Sequence, residues 1–314
     1  MYYLGIDLGG TNIAVGIVNE MGEILARKTV PTQAECGEDA VILRMADAAR
    51  ALTEEAGIPL SEIVSVGVGS PGAIDSEAGV VVSACNLPFS DTPLAARLAE
   101  LLGRPVKVEN DANAAAWAEA VAGAARGTRD NLMITLGTGV GGGIVIGGRL
   151  YGGYNSYAGE FGHMIIRDGG EKCACGQSGC LEAYASATAL IRETRRAAES
   201  NRESLLWQCA EEEGKFSGKT AFAAAARGDA TAKDVIDRYV YELSLGLINL
   251  IRIFQPEVIV VGGGIARAGE ALMIPLRKCL DGYITGRKAT RIETAMLGDD
   301  AGIVGAALLG MMEG

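Results

Sequence analysis

The chain is poor in several features that would indicate particular classes of protein. It has 314 residues but a single histidine, only 5% aromatic residues, and fewer Lys and Arg (28) than Asp and Glu (39), for a formal net charge of −11. An acidic chain lacks the basic surface that neutralises a phosphate backbone, so we expect no nucleic acid partner. A single nucleotide is still compatible with this charge, because backbone N–H groups can hold phosphates.

Long hydrophobic runs are also absent. Apolar stretches are interrupted by Gly, Arg or Asn well short of about 18 residues, so we predict no membrane span and no membrane partner. The first residues, Met1-Tyr2-Tyr3-Leu4-Gly5-Ile6-Asp7, are typical of a β-strand and contain no signal-type basic and apolar regions. We therefore expect a cytoplasmic protein, in which the seven cysteines would not form a disulfide framework.

The length of the chain favours two domains with a cleft between them. We place the small α/β lobe at residues 1–120, with a C-terminal helix at about 301–314 packing back on it. The large α/β lobe is placed at residues 121–300. The 44 glycines exceed what packing needs and indicate many close backbone approaches.

Hydrophobic periodicity predicts an α/β pattern throughout. Predicted strands are Tyr2–Asp7, Ile13–Val18, Glu23–Val30, Ile63–Val68, Val106–Val108, Leu132–Leu136, Gly143–Ile146 and Val258–Val261. Predicted helices are Gly37–Ala56, Pro93–Leu102, Ala112–Ala125, Ile191–Glu213, Thr231–Ile253 and Gly302–Met312. The strand, Gly/Thr turn and strand of the first residues recur near residue 136, which indicates an internal duplication.

Two glycine turns are candidate phosphate sites. Asp7 precedes Gly9, Gly10, Thr11 and Asn12, where turn N–H groups and the Thr11 hydroxyl could meet phosphate oxygens while Asp7 holds magnesium. The alternative is an ordinary hairpin turn. A second copy at 137–142, with Thr138 and Gly139, favours the phosphate interpretation.

The second glycine turn also matches the spacing of a dinucleotide-binding fingerprint, but a strand rather than a helix is predicted after it, so we interpret the match as false. A third glycine cluster, with Gly263 and Gly264, follows a buried strand. It could let an adenosine lie against the backbone or could merely be a packing turn.

A histidine and three cysteines form the most specific pattern. His163 is followed by Cys173, Cys175 and Cys180, a Cys₃His set that suits tetrahedral zinc, and glycines in the loop would let it fold round the ion. With four protein ligands the ion would be structural. The alternative is three free thiols.

A polar strand end precedes one predicted helix. In Val108-Glu109-Asn110-Asp111-Ala112-Asn113, either Asn110 or Asp111 could simply cap the helix. A carboxylate at such a junction could instead accept the proton of a substrate hydroxyl.

These motifs together resemble the ROK family of sugar kinases and repressors, in particular its bacterial glucokinase-like members. The matching segments are 7–11, 109–113, 136–143, Glu160-Phe161-Gly162-His163 and the loop from Cys173 to Glu182. The resemblance covers the whole chain. It implies an actin-like ATPase fold, a duplicated ribonuclease-H-like α/β architecture with two lobes around a central cleft.

The resemblance also implies roles for particular residues. Asp111 would be the general base, and the sugar-binding residues would be Gly72, Asn86, Asn110, Asp111, Glu160, His163 and Glu182. His163 would bind zinc through one ring nitrogen and the sugar through the other. The ATP-binding residues would be Asp7, Gly9, Gly10, Thr11, Asn12, Thr138, Gly139, Gly263 and Gly264.

The activity implied is ATP-dependent phosphorylation of the 6-hydroxyl of glucose, with magnesium accompanying ATP, structural zinc, and a homodimer or homotetramer as the assembly. Family members often have a basic residue where this chain has Asn12, so magnesium and backbone amides would carry more of the charge stabilisation. Alternatives are an N-acetylmannosamine or fructose kinase on the same scaffold and a sugar-sensing protein without turnover.

Overall fold

The computed structural model describes residues 1–283 and 289–312. The chain folds as two compact units. The first comprises Met1–Met133, Gly143–Gly159 and Met296–Gly314, and the second comprises Ile134–Gly142 and Glu160–Ala295. Residues 284–288 of the predicted large lobe and 313–314 at the end of the predicted C-terminal helix lie outside the described residues.

Strands and helices are mixed along the chain, as the periodicity predicts. The strands are β1 (Tyr2–Leu8), β2 (Asn12–Asn19), β3 (Ile24–Pro31), β4 (Ile63–Ser70), β5 (Ala73–Asp75), β6 (Val80–Ser83), β7 (Ser90–Thr92), β8 (Val106–Asn110), β9 (Asn131–Leu136), β10 (Val140–Ile146), β11 (Arg149–Leu150), β12 (Val258–Gly262) and β13 (Arg291–Thr294). The helices are α1 (Glu38–Ala56), α2 (Leu94–Leu102), α3 (Asp111–Ala122), α4 (Glu182–Ala185), α5 (Ala187–Ser200), α6 (Leu206–Glu212), α7 (Thr220–Ala226), α8 (Ala230–Phe254), α9 (Glu270–Leu280) and α10 (Ala301–Leu308).

The two large sheets have the same strand topology. The first has the order β3-β2-β1-β4-β8 and the second the order β11-β10-β9-β12-β13, so each places its own third, second, first, fourth and fifth strands side by side. A three-stranded sheet, β5-β6-β7, is inserted before β8. The shared order confirms the internal duplication that the two glycine turns predict.

The strand directions in the first sheet decide where polar strand ends meet. Strand β1 pairs antiparallel with β2 and parallel with β4, and β4 pairs parallel with β8. In this register Asp7 lies opposite Gly69, and Gly69 lies opposite Glu109. The carboxyl ends of three parallel strands therefore share one edge of the sheet, a usual position for ligand sites in α/β folds.

Alternation along β1 divides the core of the first unit. Leu4, Ile6 and Leu8 pack in one apolar cluster with residues of α1 and α2, whereas Tyr3 packs in a second cluster with residues of α3 and α10. Side chains at successive strand positions point to opposite faces, so a single strand serves both clusters.

Two glycines let α10 lie directly on the sheet. A Cβ at Gly5 would lie 2.0 Å from the carbonyl oxygen of Ile303, and one at Gly67 would lie 1.8 Å from that of Ala306. No larger residue fits without moving the helix, because packed interiors leave no such space. The absence of side chains at these two positions thus sets the helix-to-sheet distance.

One predicted helix is wrong. The chain does not form a continuous helix over Ile191–Glu213, because α5 ends at Ser200 and α6 begins at Leu206. Asn201 adopts an extended conformation, and the turn after it is held by Asp229, which accepts hydrogen bonds from the Ser204 hydroxyl at 3.1 Å and the Leu205 N–H at 2.8 Å. A contact formed 24 residues along the chain overrides the local helical period.

Within the described residues, no helix is both long enough and apolar enough to cross a bilayer.

Candidate active site

At the junction between β8 and α3, the helix cap and the candidate catalytic carboxylate are two different residues. The Asn110 side chain caps α3, since its Oδ1 accepts hydrogen bonds from the N–H groups of Ala112 at 2.9 Å and Asn113 at 3.3 Å. The Asn110 amide nitrogen also donates to the carbonyl of Gly72 at 3.2 Å. Of the two predicted caps, Asn110 is therefore the cap, and the Asp111 carboxylate is not needed to satisfy the helix N-terminus.

Asp111 is exposed, and it is the first residue of α3. The surrounding protein desolvates its carboxyl group and raises its pKa, and this outweighs the Ala112 N–H, which donates to Oδ1 at 2.8 Å and favours the charged form. A carboxylate that stays accessible and has a raised pKa is suited to accept a proton.

Asp7 ends the central strand beside that junction. Burial, with a smaller contribution from the negative charge of Asp111, raises the pKa of Asp7 to about 6. Its carboxylate lies against α10, where a Cβ at Gly302 would be 2.4 Å from Oδ2. Two neighbouring carboxylates whose charge is unfavourable form a place where a divalent cation would be stabilised.

The first glycine turn is tightly hydrogen-bonded. The N–H of Gly9 donates to the carbonyl of Asn12 at 2.9 Å, and Thr32 bonds to both ends of the turn through its hydroxyl to Gly9 O (2.6 Å) and its N–H to Thr11 O (2.8 Å). Gly10 is exposed and faces Asn86, because a Cβ placed at Gly10 would lie 3.1 Å from the Cβ of Asn86. The turn thus places exposed backbone next to an exposed amide side chain.

Glu109 is a residue of this junction for which the sequence predicted no role. It is 7% exposed, and its Oε1 accepts hydrogen bonds from the Asn110 N–H at 2.8 Å and from Asn113 Nδ2 at 3.1 Å. A buried carboxylate with two donors fixes the backbone on which Asn110 and Asp111 stand. Its position in the sequence carries no sign of this role, because the bonds depend on the strand-to-helix geometry.

The second glycine turn is held by α4 and α5. Within the turn, the Gly137 N–H donates to Gly139 O at 3.0 Å. From the start of α5, the Ala187 N–H donates to Gly137 O at 2.8 Å and the Thr188 hydroxyl donates to Thr138 O at 2.7 Å. Strand β10, and not a helix, follows the turn, so the strand–turn–helix order that the dinucleotide fingerprint requires is not formed, and the interpretation of that match as false is confirmed.

The third glycine cluster packs against the second turn's strand. Gly263 has a positive φ of 84°, and a Cβ there would lie 2.5 Å from the N atom of Leu136. Gly264 has open space where its Cβ would be. Gly263 therefore packs closely on the end of β9, whereas Gly264 leaves room for a ligand beside the backbone.

A tripeptide of P-loop type, Gly218-Lys219-Thr220, does not form a phosphate loop. Only three residues separate it from the preceding Gly214, where a P-loop requires four. Thr220 is fully buried, and its Oγ1 accepts from the Ser217 N–H at 2.9 Å and donates to Glu213 at 3.3 Å. Its hydroxyl is therefore unavailable to a magnesium ion.

The structure brings the predicted zinc ligands together. Ligand atoms of His163, Cys173, Cys175 and Cys180 all lie within 4.8 Å of one another. His163 Nδ1 is 3.7 Å from Cys173 Sγ, and the sulfurs of Cys175 and Cys180 are 3.7 Å apart. Tetrahedral ligands about 2.3 Å from a zinc ion would be roughly 3.8 Å apart, so the donor set fits zinc in both type and spacing.

The loop that carries the three cysteines depends on a glycine. Bridges between Ile165 and Cys180 and between Lys172 and Ser178 close the loop. Gly179 has a positive φ of 86°, and a Cβ there would lie 1.7 Å from the carbonyl oxygen of Arg167. The loop therefore folds only with glycine at this position.

Two carboxylates lie next to the cluster. Glu160 Oε2 is 3.7 Å from His163 Nε2, whereas the other ring nitrogen, Nδ1, lies beside Cys173. Glu182 begins α4, and its Oε1 is 3.5 Å from Cys173 Sγ while its Oε2 accepts the N–H of Val140 at 2.9 Å. Glu182 thus contacts both the cysteine cluster and the second glycine turn.

The predicted site residues divide between the two units. Asp7, Gly9, Gly10, Thr11, Asn12, Gly72, Asn86, Asn110 and Asp111 belong to the first unit, and Thr138, Gly139, Glu160, His163, Cys173, Cys175, Cys180, Glu182, Gly263 and Gly264 belong to the second. Within each unit the contacts described above bring members of the set together.

Comparison with known proteins gives consistent matches over nearly the whole chain. The model of the ROK family matches residues 3–312. A glucokinase of Thermotoga maritima is 41% identical over 307 residues, which are 97% of this chain and 95% of the relative. A glucokinase of Halalkalibacterium halodurans is 38% identical over 311 residues, 98% of this chain and 94% of the relative. The crystal structure of a ROK family glucokinase from Streptomyces griseus in complex with glucose and AMPPNP superposes with a TM-score of 0.82 at 36% identity, covering 98% of this chain and 99% of that one.

Proposed function

The chain belongs to the ROK family, and we propose that it is an ATP-dependent glucokinase that transfers a phosphoryl group to the 6-hydroxyl of glucose. The observation that carries the proposal is the exposed carboxylate of Asp111, which has a raised pKa and lies next to the helix cap Asn110, in a chain similar to glucokinases over nearly its full length. Such an enzyme uses cellular ATP and would act in the cytoplasm.

Asp111 is assigned as the general base. Phosphoryl transfer passes through a loose transition state, so positioning and charge stabilisation matter more than covalent chemistry. Asp111 would hold the 6-hydroxyl and take its proton as the new bond to phosphorus forms, and the ADP oxygen leaves with the bonding electrons. The Ala112 N–H on Oδ1 leaves the other carboxylate oxygen for the sugar.

The sugar hydroxyls are assigned to six residues besides Asp111. These are Gly72, Asn86, Asn110, Glu160, His163 and Glu182. Support for this assignment is the proximity of members within each unit, such as the bond from Asn110 to Gly72 and the 3.7 Å between Glu160 and His163. A site built from carboxylates and amides rejects a substrate that leaves one of them unpaired.

ATP is assigned to the glycine turns. Gly9, Gly10, Thr11 and Asn12 would bind phosphate oxygens through backbone N–H groups and hydroxyls, with Thr138 and Gly139 in the second turn. Gly263 and Gly264 would lie against the adenosine, which the open space at Gly264 supports. Burial and the nearby charge of Asp111 oppose the ionisation of Asp7, which favours Mg²⁺ at Asp7.

Zinc is assigned to His163, Cys173, Cys175 and Cys180. The ion would supply rigidity and no open coordination position, because four protein ligands complete its tetrahedron. Through Nδ1 the ring of His163 would be held in one orientation and tautomer, so that Nε2 is directed to the sugar. We further assign a homodimer or homotetramer as the working assembly.

A coupled assay that reports ADP formation across a panel of hexoses tests the proposal. Glucose is expected to have a higher kcat/KM at saturating Mg-ATP than N-acetylmannosamine or fructose. The acyl group at C2 of N-acetylmannosamine would crowd the cysteine-rich loop, and fructose would leave a polar group of the site unpaired. A clear preference for either competitor would reassign the substrate and keep the kinase activity. Glucose binding without turnover of any hexose would indicate a sugar-sensing protein instead.

A further inference from the structure

The second glycine turn contacts the predicted sugar-binding elements on two sides. On one side Glu182 Oε2 accepts the Val140 N–H at 2.9 Å. On the other side Gly162, in the turn between Glu160 and His163, lies so near that a Cβ there would be 2.2 Å from the carbonyl oxygen of Val140. At the end of the turn, the N–H group of Val140 thus contacts one of the segments assigned to the sugar, and its C=O group contacts the other.

The Glu182 carboxylate that accepts the Val140 N–H is also packed tightly against the turn. A Cβ at Gly139 would lie 2.3 Å from Glu182 Oε2, so the carboxylate rests directly on the backbone of the residue assigned to ATP phosphate. Its other oxygen, Oε1, lies at the cysteine cluster, 3.5 Å from Cys173 Sγ. The carboxylate cannot move toward a sugar hydroxyl without changing its contact with the turn.

We propose that Glu182 couples the sugar site to the phosphate-binding turn, so that glucose binding changes the position of Val140 and Gly139 and thereby the affinity for nucleotide. The inference rests on the proposed function. A carboxylate oxygen that already accepts a backbone N–H must share or release that bond when a sugar hydroxyl donates to it. Because coupling between two sites is reciprocal, nucleotide binding changes the affinity for glucose by the same factor.

The first test removes the carboxylate in the absence of sugar. In Glu182→Ala the Val140 N–H loses its acceptor, so the turn loosens and the dissociation constant for AMPPNP, measured by calorimetry without glucose, rises at least about tenfold, the effect of losing one hydrogen bond to a charged group. In Glu182→Gln the amide oxygen can still accept this N–H, so the affinity is at least partly retained. Amide hydrogen exchange of the turn follows the same order, with faster exchange at Val140 in the alanine variant.

The second test works in the opposite direction, from the turn to the sugar. Gly139→Ala places a methyl group against Glu182 Oε2, so the dissociation constant for glucose without nucleotide rises at least about tenfold. Gly137→Ala is the matched control, because a Cβ there meets only Gly139 O, at 4.0 Å, and the glucose dissociation constant stays within about twofold of the wild-type value. Neither glycine has a positive φ, so alanine introduces no backbone strain at either position.

The outcomes separate this inference from the proposed function. A wild-type protein that binds no glucose refutes the proposed function. If the wild-type protein binds glucose, a role of Glu182 confined to the sugar predicts wild-type AMPPNP affinity and Val140 exchange in Glu182→Ala, and that result overturns the coupling. Equal glucose affinity in Gly139→Ala and Gly137→Ala overturns it as well, and this second arm decides if Glu182→Ala does not fold.

Discussion

Asp7 should lower the free energy of unfolding of the protein at neutral pH, and its replacement by asparagine should raise that free energy. Its carboxyl group has a pKa of about 6 in the folded chain against an ordinary value of 3.8, because burial and the nearby Asp111 oppose its charge. Asparagine has almost the same shape but no charge. We therefore expect Asp7→Asn to raise the free energy of unfolding while it weakens magnesium binding and phosphoryl transfer.

The magnitude follows from the two pKa values. Below the unfolded pKa of 3.8 the Asp7 carboxyl is protonated in both the folded and the unfolded chain and does not lower the free energy of unfolding. As the pH rises above 3.8 the unfolded chain releases this proton first, so the free energy of unfolding falls until the pH has passed the folded pKa of about 6. At pH 8 the full difference corresponds to about 3 kcal/mol. Because Asp7 is only partly buried, we expect the variant to gain about 1–3 kcal/mol at pH 8 and well under 1 kcal/mol at pH 4.

Guanidinium unfolding of the metal-free protein, with EDTA present, measures this at the two pH values. Asp234→Asn is the control, since Asp234 is exposed on α8 and its replacement removes the same single charge from a chain of net charge −11. The reasoning is refuted if Asp7→Asn is no more stable than the wild-type protein at pH 8, or if its advantage is as large at pH 4.

Three further changes have defined outcomes. Asp111→Asn should lower kcat by about 10²–10⁴ while glucose affinity and melting temperature stay near normal, because Asn110 still caps α3; near-normal turnover would exclude Asp111 as the base. Wild-type protein should contain roughly one zinc per chain, which Cys175→Ser should lose and the exposed Cys36→Ser should keep, and equal zinc in both variants would argue against the assigned ligands. Gly67→Ala should lower the free energy of unfolding by about 1–3 kcal/mol, since its Cβ would lie 1.8 Å from Ala306 O; an unchanged denaturation midpoint would contradict the described packing of α10.

Features set by short stretches of sequence were the predictable part of this protein. The His163 and cysteine pattern spans 18 residues, and its ligand types and glycine spacing suffice to predict a cluster that the structure then assembles. The duplicated glycine turns likewise predict the repeated strand order of the two sheets. Both signals are local, because a loop or a hairpin closes on itself without help from distant residues.

The long helix predicted for Ile191–Glu213 shows where local signals fail. Its apolar period continues across Asn201, but the carboxylate of Asp229 stabilises a turn there that periodicity cannot reveal. The same holds at the β8–α3 junction. Asn110 and Asp111 are equally good caps by residue type, and only the backbone geometry assigns the cap to Asn110 and leaves Asp111 exposed.

By itself, the sequence determined which chemical groups this protein has: a carboxylate at a strand end, glycine turns and a Cys₃His set. The tertiary structure alone decided how those groups act on one another. Asp7 and Asp111 are 104 residues apart, and Asp111 opposes the ionisation of Asp7 only because β1, β4 and β8 run parallel and end at one edge. Glu182 and Val140 are 42 residues apart, and their bond forms only where α4 packs beside the turn. Electrostatic and hydrogen-bond energies depend on distances of a few ångströms, and the folded chain sets those distances for residues far apart in sequence.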